Sequence, residues 1–287
     1  MPDGTIREGG VVSALPEAKA GERWLFISPH DDDPAISAGM FIAAAAAEGV
    51  RVRLRIATDG SMGYTPAVRA EDVVAERRRE TLASCRLLGI EDVGWYNYPD
   101  ARLHLWQGRA PVSPERDGVG HPVASHSVAS HTVAGHTGLQ NSITAEIRSY
   151  QPNRILVMSG QDFHPDHKIV YQEVMISVFH AQGDVWPELG PPLDQLPWVY
   201  EFAAYAPFAA DPDVELTGDD ELFQRKLEAI ATFASQTQIA HLVNDLKESG
   251  PYEYIRSFPF ETYSPKRYAH LFRPEPQTER HTEPETE

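Results

Sequence analysis

WLFISPHDDDPAISAG, residues 24–39, decides how the rest of the chain is read. Residues 24–28 are apolar or small and have the length of a buried strand. The chain then breaks at Pro29, runs through His30, Asp31, Asp32 and Asp33, and enters an alanine-rich helical pattern at Pro34. An imidazole and three carboxylates therefore stand at a strand's carboxyl end, where the loops of an open α/β sheet line a crevice that takes ligands. Three adjacent acids repel one another, and a cation is the simplest partner that would justify them. The alternative is an acidic turn in which Asp33 caps the helix and Pro34 takes its first position, a sufficient helix start by itself.

A second cluster weighs against that alternative. His164, Pro165, Asp166 and His167 follow another apolar run, RILVM at 154–158. Two strand-end clusters, each with His and Asp, supply two imidazoles and a carboxylate. Those are the donors of a zinc site that leaves its fourth position to water.

With both motifs in place, the sequence resembles the PIG-L or LmbE-like zinc-dependent N-acetylglucosaminyl deacetylases. Their first motif is usually His-Pro-Asp-Asp-Glu and their second His-x-x-His. The likeness continues through ATDGS at 57–61, Arg77 and Glu80 on a helix ending in LLGI at 87–90, YPD at 98–100, and Ser235-Gln236, so it spans residues 22–240. The resemblance implies a Rossmann-like α/β fold, with a mostly parallel sheet, helices on both faces and a metal site at the carboxyl ends of the strands. It implies one Zn2+ per chain on His30, Asp33 and His167, with Asp32 beside it as general base. His164 would stabilise the oxyanion or protonate the departing amine. Arg77 would reach the substrate pocket, and Asp100 would hydrogen-bond sugar hydroxyls. The implied reaction is hydrolysis of an N-acetyl amide on an amino sugar or glycoconjugate. An amidase for larger acyl groups and a non-catalytic sugar-binding protein are the competing readings. Two flanks depart from the family pattern: its proline is Asp31 here, and its glutamate is Pro34.

Composition narrows the partners. The 287 residues carry a formal charge of −17, which excludes the basic surface that nucleic acid or anionic membrane requires. No run approaches the ~20 apolar residues of a membrane span, and the N-terminus lacks a signal-peptide pattern, so a cytoplasmic protein is expected. The single cysteine, Cys85, excludes an intramolecular disulfide and lies in a helix-like stretch, LASCRLLG, as a packed thiol. The oligomeric state is left open, a homo-oligomer included. Residues 1–20 read as a flexible segment, 21–272 as a single α/β domain, and 273–287 as a disordered acidic tail with nothing apolar to bury.

Within the domain, short apolar runs alternate with helical patterns, the signature of βαβ units. Strands are expected at 52–57, 93–98, 154–158 and 198–206, and helices at 35–48, 68–88, 138–150, 165–182 and 220–236. The alternating arginines of VRLRIA, 52–57, predict a strand with a partly open face or one near an edge. The aromatic stretch PYEYIRSFPFETY is expected to close a sheet edge or a wall of the site. Between about 108 and 137 lies a five-residue repeat that spaces His121, His126, His131 and His136 equally. A period of five matches neither helix nor strand, so these imidazoles share no face. The segment reads as an expanded loop that could lie over the pocket, or as a metal-binding tract.

Overall fold

Alternate residues of strand β1 (Arg23–Ser28) bury on opposite sides of the sheet. Trp24 and Phe26 enter one apolar core, Leu25 and Ile27 the other. A strand buried on both faces needs helices above and below it, and the chain supplies them. The computed structural model describes residues 11, 15–63, 70–112, 132–261 and 263–272.

Helix α1 (Asp33–Ala47) leads to β2 (Arg51–Thr58), α2 (Ala70–Leu88) and β3 (Asp92–Tyr98). The short strands β4 (Ala110–Pro111) and β5 (His136–Thr137) pair with each other, and α3 (Leu139–Tyr150), β6 (Arg154–Met158), α4 (Pro165–Gln182) and β7 (Trp198–Phe202) follow. The remainder is β8 (Val214–Thr217), α5 (Asp220–Ala231), α6 (Ile239–Ser249), β9 (Tyr252–Phe258) and a single turn, α7 (Ala269–Phe272). The main sheet has the order β3-β2-β1-β6-β7-β9-β8, parallel from β3 to β7 and antiparallel beyond. Residues of α1, α2 and α5 pack with Trp24 and Phe26, whereas α3 and α4 pack with Leu25 and Ile27. The expected fold class is the one observed.

Differences from the sequence reading have local causes. Strand β2 is one place in from the edge. Its open face is closed by charge, because Arg53 and Arg55 both pair with Asp92 and Glu146 at 2.6–3.0 Å. The helix expected over 220–236 stops at Ala231 and a second begins at Ile239, while β7 ends at Phe202. The aromatic stretch does close the sheet, as β9 between β7 and β8. His121, His126 and His131 lie outside the described residues, as do the tail from 273 and most of the first twenty positions. His136 is seated in β5, with its Nδ1 2.9 Å from Arg109. Among the described residues no helix is long and apolar enough to cross a membrane.

Helix α1 is interrupted at Ala38, whose φ and ψ are −142° and 21°. The Glu253 carboxylate of β9 enters the break and accepts the backbone N–H groups of Met40 at 2.9 Å and Phe41 at 2.8 Å. A side chain inserted into the helical ladder is a recognised cause of a kink. Lys226 of α5 neutralises the carboxylate at 2.7 Å, and both groups are buried. Gly39 permits the approach, since a Cβ there would stand 3.0 Å from Lys226 Cγ. Glu253→Ala should therefore cost about 3–5 kcal/mol, because it strands a buried ammonium as well as two backbone donors. Urea denaturation checks this, and a loss under about 1 kcal/mol, the worth of an exposed pair, would exclude the role given to Glu253.

Candidate metal and catalytic site

The chain leaves β1 toward β2 on one side of the sheet and β6 toward β7 on the other. Their carboxyl ends therefore border the crevice at the point where the strand order reverses. Residues 29–32 exit β1 there, and residues 159–164 exit β6 opposite them. His30 and His167, 137 residues apart in sequence, come within contact distance.

Three donor atoms form a nearly equilateral triangle. His30 Nδ1 to Asp33 Oδ2, His30 Nδ1 to His167 Nε2, and His167 Nε2 to Asp33 Oδ2 are each 3.2 Å. A tetrahedral zinc with bonds of about 2.0–2.1 Å sets its donors about 3.3 Å apart. Two imidazole nitrogens aimed at each other across one carboxylate oxygen make poor hydrogen-bond partners, and a cation between them resolves the conflict. The second oxygen, Asp33 Oδ1, is buried without a hydrogen-bond partner, as an unused ligand atom would be. His30, Asp33 and His167 thus fit a divalent cation.

Each ligand-type imidazole is backed by acid on its other nitrogen. His30 Nε2 lies 3.3 Å from Asp100 Oδ1 and 3.6 Å from Asp166 Oδ2. His167 Nδ1 lies 3.2 Å from Asp162 Oδ2, without an aligned hydrogen bond. Such carboxylates fix the tautomer and orientation of a metal-binding histidine. Burial works against a charged His30, but Asp100, Asp166 and Asp33 reverse that and hold its pKa well above the usual value. Burial likewise opposes a charged His167, and Asp33 reverses it. The carboxyl of Asp33 is raised by burial and brought well below the carboxylate range by His167 and His30. The triangle attracts positive charge, and a bound cation would displace protons from it.

Asp32 lies between Asp31 and Asp33 in sequence, and its carboxylate is mostly buried. Burial pushes its pKa up, Arg77 pulls it down, and the like charges of Asp33 and Asp31 push it up again, to about 6. The His164 ring stands 4.6 Å from that of His30 and 4.9 Å from that of His167, centre to centre. His164 is also the N-cap of α4, where its Nδ1 accepts the Asp166 N–H at 3.2 Å. That bond leaves the proton of a neutral ring on Nε2. Burial, His30 and His167 all lower the His164 pKa, so the neutral donor is the form near pH 7.

All seven residues expected at the site therefore lie together, with His30, Asp32, Asp33, His164 and His167 joined by Arg77 and Asp100. Arg77 and Asp100 sit behind them. Arg77 is buried, with Nη2 bonded to Asp31 and 3.3 Å from Asp32 Oδ1. Asp100 is buried against His30 and accepts the Met62 N–H at 3.3 Å. The sequence reading missed Asp162 and Tyr205. Asp162 accepts the backbone N–H groups of His164 at 2.9 Å and Tyr205 at 3.2 Å, and the Tyr205 ring stacks on His167 at 5.5 Å. A carboxylate two residues before a candidate ligand pair was the available signal for Asp162. Tyr205 had none beyond its place after a strand.

The family model described as PIG-L, GlcNAc-PI de-N-acetylase, matches residues 25–178. The 2'-N-acetylparomamine deacetylase of Streptomyces fradiae is 29% identical over 258 residues, covering 88% of this chain and 76% of that protein. In structure, the N,N'-diacetylchitobiose deacetylase of Pyrococcus horikoshii aligns with a TM-score of 0.63 and 23% identity, covering 87% of this chain and 86% of that one. The 4-carboxy-2-hydroxymuconate hydratase of Pseudomonas putida aligns with a TM-score of 0.61 and 20% identity, over 85% and 99%. Likeness at these structural identities carries the fold, and one fold hosts more than one chemistry.

Zinc affinity should weaken as pH falls, since the cation displaces protons held at His30 and His167, by about tenfold per displaced proton per pH unit. Chelator competition at several pH values measures the slope, and a flat profile would contradict this ligand set. His167→Ala should lose zinc while His164→Ala keeps it. Equal loss from both would make His164 a fourth ligand and close the position that water or substrate needs.

Proposed function

The chain belongs to the PIG-L family, described as GlcNAc-PI de-N-acetylases, and from that premise we propose that it removes an N-acetyl group from an amino sugar or glycoconjugate by zinc-assisted hydrolysis. The observation that carries the reading is the 3.2 Å donor triangle with a carboxylate beside it that is not part of it. The Streptomyces fradiae relative, a 2'-N-acetylparomamine deacetylase, supports an N-acetylated amino sugar as the substrate class.

His30, Asp33 and His167 are the residues that would hold the metal. A Zn2+ ion there supplies Lewis acidity toward a carbonyl oxygen and lowers the pKa of water. Asp32 takes the proton from the attacking water as its oxygen bonds to the acetyl carbon. With a pKa of about 6, lowered further by any nearby cation, Asp32 is ionised near neutrality. His164 donates its Nε2–H to the carbonyl oxygen as negative charge develops there. A neutral donor performs this without itself changing protonation. The carbon–nitrogen bond then breaks, the proton taken by Asp32 passes to the departing amine, and acetate and the free amino sugar result. Asp100 holds the His30 ring in the required tautomer, and Asp162 lies 3.2 Å from His167 Nδ1, where its charge favours a proton on that nitrogen.

Acetate release from a panel of N-acetylated amino sugars tests the reading. Cleavage confined to bulkier amides would favour an amidase for larger acyl groups, and binding without turnover would favour a sugar-binding protein. Asp32→Asn should retain zinc and lose roughly 10²–10⁴ in rate. The acid limb of the wild-type pH–rate curve, at or below about pH 6, should disappear with it, because protonation of Asp32 removes the base. Loss of zinc from Asp32→Asn would mean that the base and the ligand have been exchanged. His164→Ala should cost roughly 10²–10³ in kcat, the worth of one oxyanion donor. A loss confined to KM would assign His164 to substrate binding instead.

A further inference from the structure

Asp31 stands where the family pattern has proline, and it adds a third carboxylate to a loop already crowded with charge. It is 5% exposed and engages Arg77 through two nitrogens. Arg77 Nε is 3.2 Å from its Oδ2, and Nη2 is bonded to its Oδ1. The Thr81 hydroxyl, one helical turn on from Arg77, lies 3.0 Å from Asp31 Oδ2. Nη2 also reaches Asp32 Oδ1 at 3.3 Å, so a single guanidinium nitrogen is divided between the two acids.

The guanidinium is covered from its other side. Gly60 has φ +71°, and a Cβ there would stand 3.1 Å from Arg77 Nε. A Cβ at Gly63 would come within 3.0 Å of Arg77 Nη1. Gly60 and Gly63 thus lie against the guanidinium where a side chain would crowd it, and the cation is confined between those two glycines and the acids.

A confined arginine facing one carboxylate takes both of its oxygens, because the paired planar geometry is the strongest arrangement open to it. Facing two adjacent carboxylates, it pairs with one and touches the other. We infer that Asp31 is a positioning residue: it occupies the paired face of Arg77, so that Arg77 orients Asp32 through one nitrogen and leaves that carboxylate an oxygen with which to accept a proton. The inference rests on the proposed hydrolysis with Asp32 as its base. It gives Asp31 a role through Arg77 and no contact with substrate.

The test uses the zinc-loaded full chain with an N-acetyl sugar that the wild type cleaves. Asp31→Ala should lower kcat by roughly 10–100-fold, the size seen for groups that orient a reacting residue, with zinc content and KM near wild type. Arg77 then collapses onto Asp32. The double variant, Asp31→Ala with Arg77→Met, should recover most of that loss, because the base is released from its captor. It should also fold, since removing both partners of a buried ion pair is tolerated far better than removing one. Asp31→Asn, which keeps the shape, replaces the alanine variant if that one fails to fold. A purely structural role gives losses that add or deepen in the double variant. A double variant at or below the slower single one overturns the inference, and so does a single variant with unchanged kcat. An inactive wild type with zinc bound overturns the hydrolytic reading, and this inference with it.

Discussion

Six aspartates, Asp31, Asp32, Asp33, Asp100, Asp162 and Asp166, crowd the carboxyl ends of β1, β3 and β6. All but Asp32 are less than one-tenth exposed. The arginine in contact with them is Arg77, which touches Asp31 and Asp32. Burying that much like charge would oppose folding strongly unless it were compensated. The structure compensates in three ways. Arg77 neutralises the outer acids, backbone N–H groups of His30, Met62, Ala101, His164 and Tyr205 reach Asp33, Asp100, Asp166 and Asp162, and His30 and His167 are drawn toward their charged forms. A divalent cation in the donor triangle would complete this balance in one step and would couple its binding to the folded state.

Topology makes such a concentration affordable. Each of the five parallel strands sends its outgoing loop to the same edge of the sheet, so a residue from any of them reaches the crevice without leaving regular structure. The backbone also joins these loops directly. Thr58 N–H bonds to Pro29 O at 3.1 Å, Asp59 N–H to Tyr98 O at 2.9 Å, and Ser159 N–H to Phe202 O at 2.8 Å. The ligand loops thereby inherit the rigidity of strands buried on both faces, and the donor spacing is set by the sheet rather than by flexible loops.

The parts of this arrangement that were legible in the sequence are the local ones. RILVM and WLFIS read as strands because strands buried on both faces are continuously apolar, and Pro34 and Pro165 marked helix starts at the first turn. His30 with Asp33, and His164 with His167, lie three residues apart, within the reach of a motif. The break between α5 and α6 was not legible, because TFASQTQ at 232–238 contains no Pro or Gly. The chain turns there because Phe233 is drawn into the core and Ser235 is held by Glu80 through two bonds of 2.6 and 2.7 Å. The partner of Arg77 was not legible for the same kind of reason. On a helix dense with charge its partner is indistinguishable, and the residue that captures it lies 46 positions earlier. Asp100, expected to hydrogen-bond sugar hydroxyls, has its Oδ1 3.3 Å from His30 Nε2.

With Arg77 and Asp100 committed inward, the crevice presents an unexpected surface. Arg77 is held by Asp31 and Asp32, and Asp100 by His30 and the Met62 N–H. Beside the candidate ligand rings several large apolar or aromatic residues are open: Phe163, next to His164, is 75% exposed, Met62, whose N–H is held by Asp100, is 63% exposed, and Tyr205, stacked on His167, is 53% exposed. Large apolar groups left in water favour a ligand with apolar faces of its own, and under the proposed reading a pyranose ring would offer its C–H faces as well as hydroxyls.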